Sequence, residues 1–290
     1  MQRITYIPAG AESGITFEEA YPFILAHVEG VGGAETTMIS DTIPGVDGAH
    51  VYGIRTETRE VKAKIHVRGA KRQDMYKLRF DAIRILAPTQ TPGTLIYEND
   101  YISVKTPAYP ANAADFTERL KNFNTAEIVF RCPSPFWEAI EPAAPEAIAY
   151  TGSGFMFPFS FDEDNDYSIQ FSAIADQVTI DNAGSAMTPI IMTITGPAVN
   201  PAVTNQTTGE TIRINTTLLQ GDVLTITTTP GKKSVKLTES GVTTDAFALI
   251  DLDSVFFQLL PGSNVITYDS GNSSDETRVT IQYTPRFVGV

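Results

Sequence analysis

The sequence predicts a mainly β protein of two domains with a single α-helix. Three observations predict it. Residues 61–68 alternate between apolar and polar side chains. Residues 71–87 repeat their apolar positions at helical spacing. Residues 177–283 hold a succession of short Thr-, Val- and Ile-rich runs cut by turn residues.

In chain order, the first sixty residues mix short extended segments with turns. Val61, Ala63, Ile65 and Val67 then fall on one side of an extended chain, and Lys62, Lys64, His66 and Arg68 on the other. A repeat of two is that of a half-buried strand, which Gly69 ends. Met75, Leu78, Ala82, Ile85 and Leu86 recur on one face of a helix over 71–87, stopped by Pro88 and Pro92-Gly93. Residues 94–97 and 101–105, split by Asn99-Asp100, form a hairpin. Residues 125–132 form a further strand, closed by Pro133-Ser-Pro135.

Residues 139–150 are rich in Ala, Pro and Glu, and Pro142 and Pro145 disfavour regular structure there. This segment divides the chain into domains 1–141 and 142–290. The second domain has a different composition, with sixteen threonines between residues 188 and 244, a density suited to pleated sheets. Strands are expected at 177–180, 190–195, 211–215, 223–228, 234–238, 256–260, 264–268 and 278–283. Turns fall at Gly209-Glu210, Gly221-Asp222, Pro230-Gly231 and Pro261-Gly262. Short strands at this spacing indicate an antiparallel sandwich or jelly roll. Phe155, Phe157, Phe159 and Phe161 alternate and are expected in its core.

Hydrophobic residues make up 42% and charged residues 19%, a globular composition with no apolar run of bilayer length. Residues 1–20 lack the apolar centre of a signal peptide, so folding in a cytoplasm is expected. The net charge of −13 is the reverse of what a nucleic-acid binder carries and suits a surface that DNA passes without sticking. Cys132 is the one cysteine, so no intramolecular disulfide forms; between apolar neighbours it reads as a small buried hydrophobe.

The search for chemistry nominates no catalytic residue and no cofactor. His27, His50 and His66 have no metal-ligand spacing, and no Gly-x-Ser-x-Gly elbow exists. Pro230-Gly-Lys-Lys-Ser234 fails as a phosphate loop because residue 226 is Ile226 where glycine is required. Asp162, Asp164 and Asp166 are the best metal candidates. Tyr167 and Ala173 stand where a helix-loop-helix calcium site needs Gly and Glu, so an exposed acidic loop is the better reading. The row Lys62, Lys64, Arg68 repels itself, and acidic groups of a second copy would relieve it; the alternative is a solvated strand face. Phe136 and Trp137, after a strand end, are candidates to anchor one domain on the other.

Several stretches together resemble the distal tail proteins of siphophages. They are Thr94-Leu-Ile-Tyr97 after a helix; Val129-Phe-Arg-Cys-Pro-Ser-Pro-Phe-Trp-Glu138; and Asp181-Asn-Ala-Gly184 followed by Thr188-Pro189 and Ile190-Ile-Met-Thr-Ile-Thr-Gly196. Thr204-Asn-Gln-Thr-Thr-Gly-Glu-Thr-Ile-Arg213, Leu219-Gln-Gly-Asp-Val-Leu224 and Leu259-Leu-Pro-Gly-Ser-Asn264 complete the set. The resemblance implies an N-terminal β-barrel or sandwich with one helix and a C-terminal galectin-like jelly roll. It implies a structural protein, not an enzyme, of the virion tail tip, assembled in the bacterial host cytoplasm. Six copies would form a ring, with the tail tube protein on one side, the tail-associated hub protein on the other, and receptor-binding protein attached. DNA would pass through without specific binding, and no membrane insertion is implied. The alternative is a carbohydrate-binding tail module for host-surface recognition.

Overall fold

A computed structural model describes residues 2–112, 114–120, 123–149, 177–271 and 277–290. The chain forms two compact units, Met1–Glu141 with Arg286–Val290, and Pro142–Pro285. The last five residues return to the first unit, where composition alone places them with the second.

The first unit runs β1 (Arg3–Ile7), β2 (Ile15–Phe17), β3 (Phe23–Glu29), β4 (Thr36–Asp41), β5 (His50–Thr56), β6 (Arg59–Arg68), α1 (Arg72–Ile85), β7 (Gly93–Glu98), β8 (Ser103–Pro110), β9 (Asp115–Leu120), β10 (Phe123–Cys132) and β11 (Trp137–Ala139). Hydrogen bonds order the main sheet β2-β1-β7-β8-β10-β6-β3. Its two ends meet: Glu18 and Ile24 form a bridge, with the Glu18 amide donating to Phe23 at 3.2 Å and the Leu25 amide to Glu18 at 2.8 Å. The sheet therefore closes into a barrel, the arrangement that removes exposed edges.

Alternation fills the barrel. Ile4 and Tyr6, Val61 to Val67 at every second residue, Leu95 and Tyr97, and Ala126, Ile128, Phe130 and Cys132 all point inward and are buried. The predicted helix is present over Arg72–Ile85, with the Lys71 amide donating to the Asp74 carboxylate at 3.0 Å at its start. Ala82 and Leu86 join the barrel core, with Leu78 and Ile85 packed against it. The Asn99 side chain accepts from the amides of Tyr101 and Ile102, at 2.9 and 2.8 Å, and so turns β7 into β8.

The second unit consists of β12 (Glu146–Ala149), β13 (Gln177–Asn182), β14 (Ile190–Thr195), β15 (Ala198–Val199), β16 (Ala202–Asn205), β17 (Glu210–Arg213), β18 (Thr217–Leu218), β19 (Val223–Thr227), β20 (Ser234–Glu239), β21 (Val242–Asp245), β22 (Gly262–Asp269) and β23 (Arg278–Tyr283). A six-stranded sheet, β12-β23-β14-β19-β20-β21, and a four-stranded sheet, β13-β22-β16-β17, share one core. Met192, Ile194, Leu224, Ile226 and Ile281 from the first meet Ile180, Val203, Ile212 and Ile266 from the second. The strand expected at 256–260 does not form. Phe257 and Leu259 are buried as a strand's would be, but among the described residues the segment pairs only at a bridge between Thr188 and Leu259. Glu146–Ala149, within the segment expected to be irregular, is a strand because it completes the sheet edge beside β23. The four phenylalanines 155, 157, 159 and 161 lie outside the described residues.

Candidate assembly surface

The outer face of β6 carries the basic row where alternation puts it. Lys62, Lys64 and Arg68 are exposed, and His66 is half-buried. Two neighbouring strands supply acids. Register sets Glu29 of β3 opposite Lys62 and Glu127 of β10 opposite Lys64, and the Arg131 guanidinium meets the Glu60 carboxylate at 3.1 Å. Arg68 lies over the Tyr21 ring at 4.8 Å and donates to its hydroxyl. Relief of the row's self-repulsion thus comes in part from within the subunit.

Trp137 is fully buried. Its ring stands 6.2 Å from that of Tyr97, and its Nε1 donates to the Val31 carbonyl at 3.0 Å; all of these belong to the first unit. Phe136 is half-buried, its carbonyl accepting from Thr106 Oγ1 at 3.3 Å. Asp162, Asp164 and Asp166 lie outside the described residues. Cys132 is buried, and burial pushes its thiol up to about 12 against the opposing charge of nearby Arg59. No helix is long and apolar enough to cross a membrane among the described residues.

Sequence reasoning missed the most conspicuous surface. Among the described residues β4 and β5 pair only with each other, as a two-stranded arm between β3 and β6. The Glu57 amide donates to the Glu35 carbonyl at 2.8 Å and closes its base. Every residue of β4 is exposed, and so are most of β5. Met38 and Ile54 oppose each other across the arm, 58% and 69% exposed, with Ile39, Ile43, Val46, Val51 and Tyr52 also open to solvent. An isolated two-stranded ribbon is marginal in water, and exposed apolar side chains gathered on one mark a contact site. The available signal was two strand-like runs flanking the turn-rich stretch Thr42-Ile-Pro-Gly-Val-Asp-Gly48.

Two family models match the chain. One, described as the siphovirus-type tail component, C-terminal domain, covers residues 183–287; the other, the phage tail protein RIFT-related domain, covers residues 13–132. Among solved structures, the fold is similar to the Dit protein (gp 19.1) of phage SPP1, described as a paradigm of the hub adsorption apparatus in Gram-positive-infecting phages. That likeness has a TM-score of 0.66 at 14% identity and spans 99% of both chains. It is also similar to chains of the phage p2 baseplate in its activated conformation with Sr, covering 97% of this chain and 98% of that one, and with Ca, covering 97% of each, both with TM-score 0.50 at 13% identity. The comparison with curated proteins gives no match. A barrel domain and a sandwich domain, each matching a tail-component model, define a structural protein of the phage tail. The chain belongs to the distal tail protein family of siphophages, components of the virion's tail and baseplate.

Proposed function

We propose that this chain is the ring-forming adaptor of the tail tip, six copies joining the tail tube to the hub and to receptor-binding components. The observation that carries the reading is the arm β4–β5, whose apolar side chains the described residues of its own subunit leave exposed. Covering a side chain of this size contributes roughly 1.5–3 kcal/mol, so an arm laid on a neighbour is a strong contact repeated at every interface of a closed ring. The basic row of β6, with Lys62, Lys64 and Arg68, is a further contact between copies. The role is mechanical and not enzymatic. The net charge of −13 supports a conduit that DNA crosses without binding. Synthesis and assembly take place in the host cytoplasm.

Native mass spectrometry of the full chain tests this, alone and with the tail tube protein of the same phage. Six-subunit rings are expected, and Met38→Ser with Ile54→Ser should reduce them to monomers without lowering thermal stability. Monomers in both samples, or rings indifferent to the paired substitution, would overturn the reading.

A further inference from the structure

We propose that the outer face of α1 is a second contact between copies of this chain, one that acts through charge. The inference rests on the reading that copies assemble. Arg72, Tyr76, Phe80 and Arg84 follow one another at four-residue steps and so form a ridge on one side of the helix. At the helical rise the ridge is about 18 Å long. All four side chains are exposed, Phe80 by 67%, and so is Lys77 beside them. The opposite face, through Met75, Ala82 and Leu86, is already spent on the first unit's interior.

The occupant is a second copy because the charges are complementary. From Lys71 to Arg84 the segment holds five basic residues, Lys71, Arg72, Lys77, Arg79 and Arg84, against Asp74 and Asp81. The chain as a whole carries −13, and residues 142–285 hold sixteen acidic residues against five basic ones. Copies so charged repel one another as they approach. The ridge, like the basic row of β6, reverses that sign, and it adds two aromatic rings to the cations. Arg72 already lies over Tyr76 at 5.8 Å, so the ring and the guanidinium present one surface to an incoming carboxylate-bearing partner. Arg, Tyr and Phe are enriched at contact centres, where lysine and acids are depleted. A ridge of this size falls short of the roughly 800 Å² per partner of a standalone interface. It therefore acts beside the arm β4–β5 and not in its place.

Sedimentation velocity of the full chain at about 0.05 and 0.5 M NaCl, either side of strong screening, tests the contact. The wild type should assemble and weaken with salt. The triple variant Arg72→Glu, Lys77→Glu, Arg84→Glu should assemble about tenfold more weakly at low salt and lose its salt response. Phe80→Ser should weaken assembly at both salts, and it carries the test if the triple variant fails to show the wild-type circular dichroism. A folded triple variant with wild-type affinity and salt response would overturn this contact and leave the ring intact. A wild type that stays monomeric at every concentration would overturn this contact, and the ring itself falls only if monomers persist with the tail tube protein present.

Discussion

The guanidinium of Arg59 lies 5.3 Å from the centre of the Trp137 ring, both side chains buried in the first unit. Arg59 begins β6 on the inward side of the alternation, so the strand that displays the basic row outside also carries a cation inside. Its partners are carbonyls from three separate segments. It donates to Pro135 at 3.1 and 2.8 Å, to Gly30 at 2.7 Å, and to Gly32 and Val288. Burial lowers its pKa from the usual guanidinium value. Five donors in a fixed fork suit this cage, which a lysine cannot match.

Arg59→Met should therefore destabilise the first unit by about 3–5 kcal/mol, because several buried carbonyls lose their donor together. Arg59→Lys should recover only part of the loss. Trp137, the only tryptophan, reports unfolding of this unit directly in urea titrations followed by fluorescence. A change below about 1 kcal/mol for the Met variant would show that water replaces the guanidinium without cost.

The returning tail gives a second prediction. Arg286 meets Glu138 at 2.8 Å, the Val290 amide donates to Val31 at 3.1 Å, and a Cβ on Gly289 would stand 2.5 Å from the Gly32 carbonyl carbon. Gly289→Ala should cost about 1–3 kcal/mol through overpacking against backbone. Arg286→Ala should cost less, since a partly exposed pair contributes little. Equal thermal midpoints for Gly289→Ala and wild type would mean that the tail does not seat here.

Cys132 makes stability sensitive to alkali. Its folded thiol is held neutral by burial, whereas the unfolded one ionises from its ordinary value of 9.0. The folded pKa is the higher one, so this stabilisation is complete below 9.0 and is lost as pH rises towards about 12. Cys132→Ala should flatten the decline in that window relative to wild type, although it starts from lower stability because of the lost packing. The native thiol should also resist Ellman's reagent at pH about 8, where only a thiolate reacts. Rapid labelling of folded protein would contradict both expectations.

Reversing the basic row separates its two roles. Lys62→Glu with Lys64→Glu sets like charges opposite Glu29 and Glu127, which should cost up to about 1 kcal/mol per pair in the isolated chain. If the row also joins copies, the oligomer mass in light scattering should fall. An unchanged mass beside a small stability loss would remove the row from the interface and leave it an ordinary strand face.

The sequence by itself determined which residues face inward along β6, and where the helix lies. Alternation from Val61 to Val67, the recurrence from Met75 to Leu86 and the Asn99 and Pro-Gly turns are local, so each segment carries its own signal. The buried state of Cys132 was legible for the same reason. Only the tertiary structure decided which strands meet. The bridge from Glu18 to Ile24 that closes the barrel, the return of Arg286–Phe287 to β11 and the failure of 256–260 to find a ladder all depend on neighbours distant in the chain. So does the assembly surface. Met38 and Ile54 are apolar strand residues, and they are exposed because no element among the described residues covers the arm they sit on. Periodicity specifies a face, but a face is buried only when a partner exists to cover it, and that partner is a property of the folded whole.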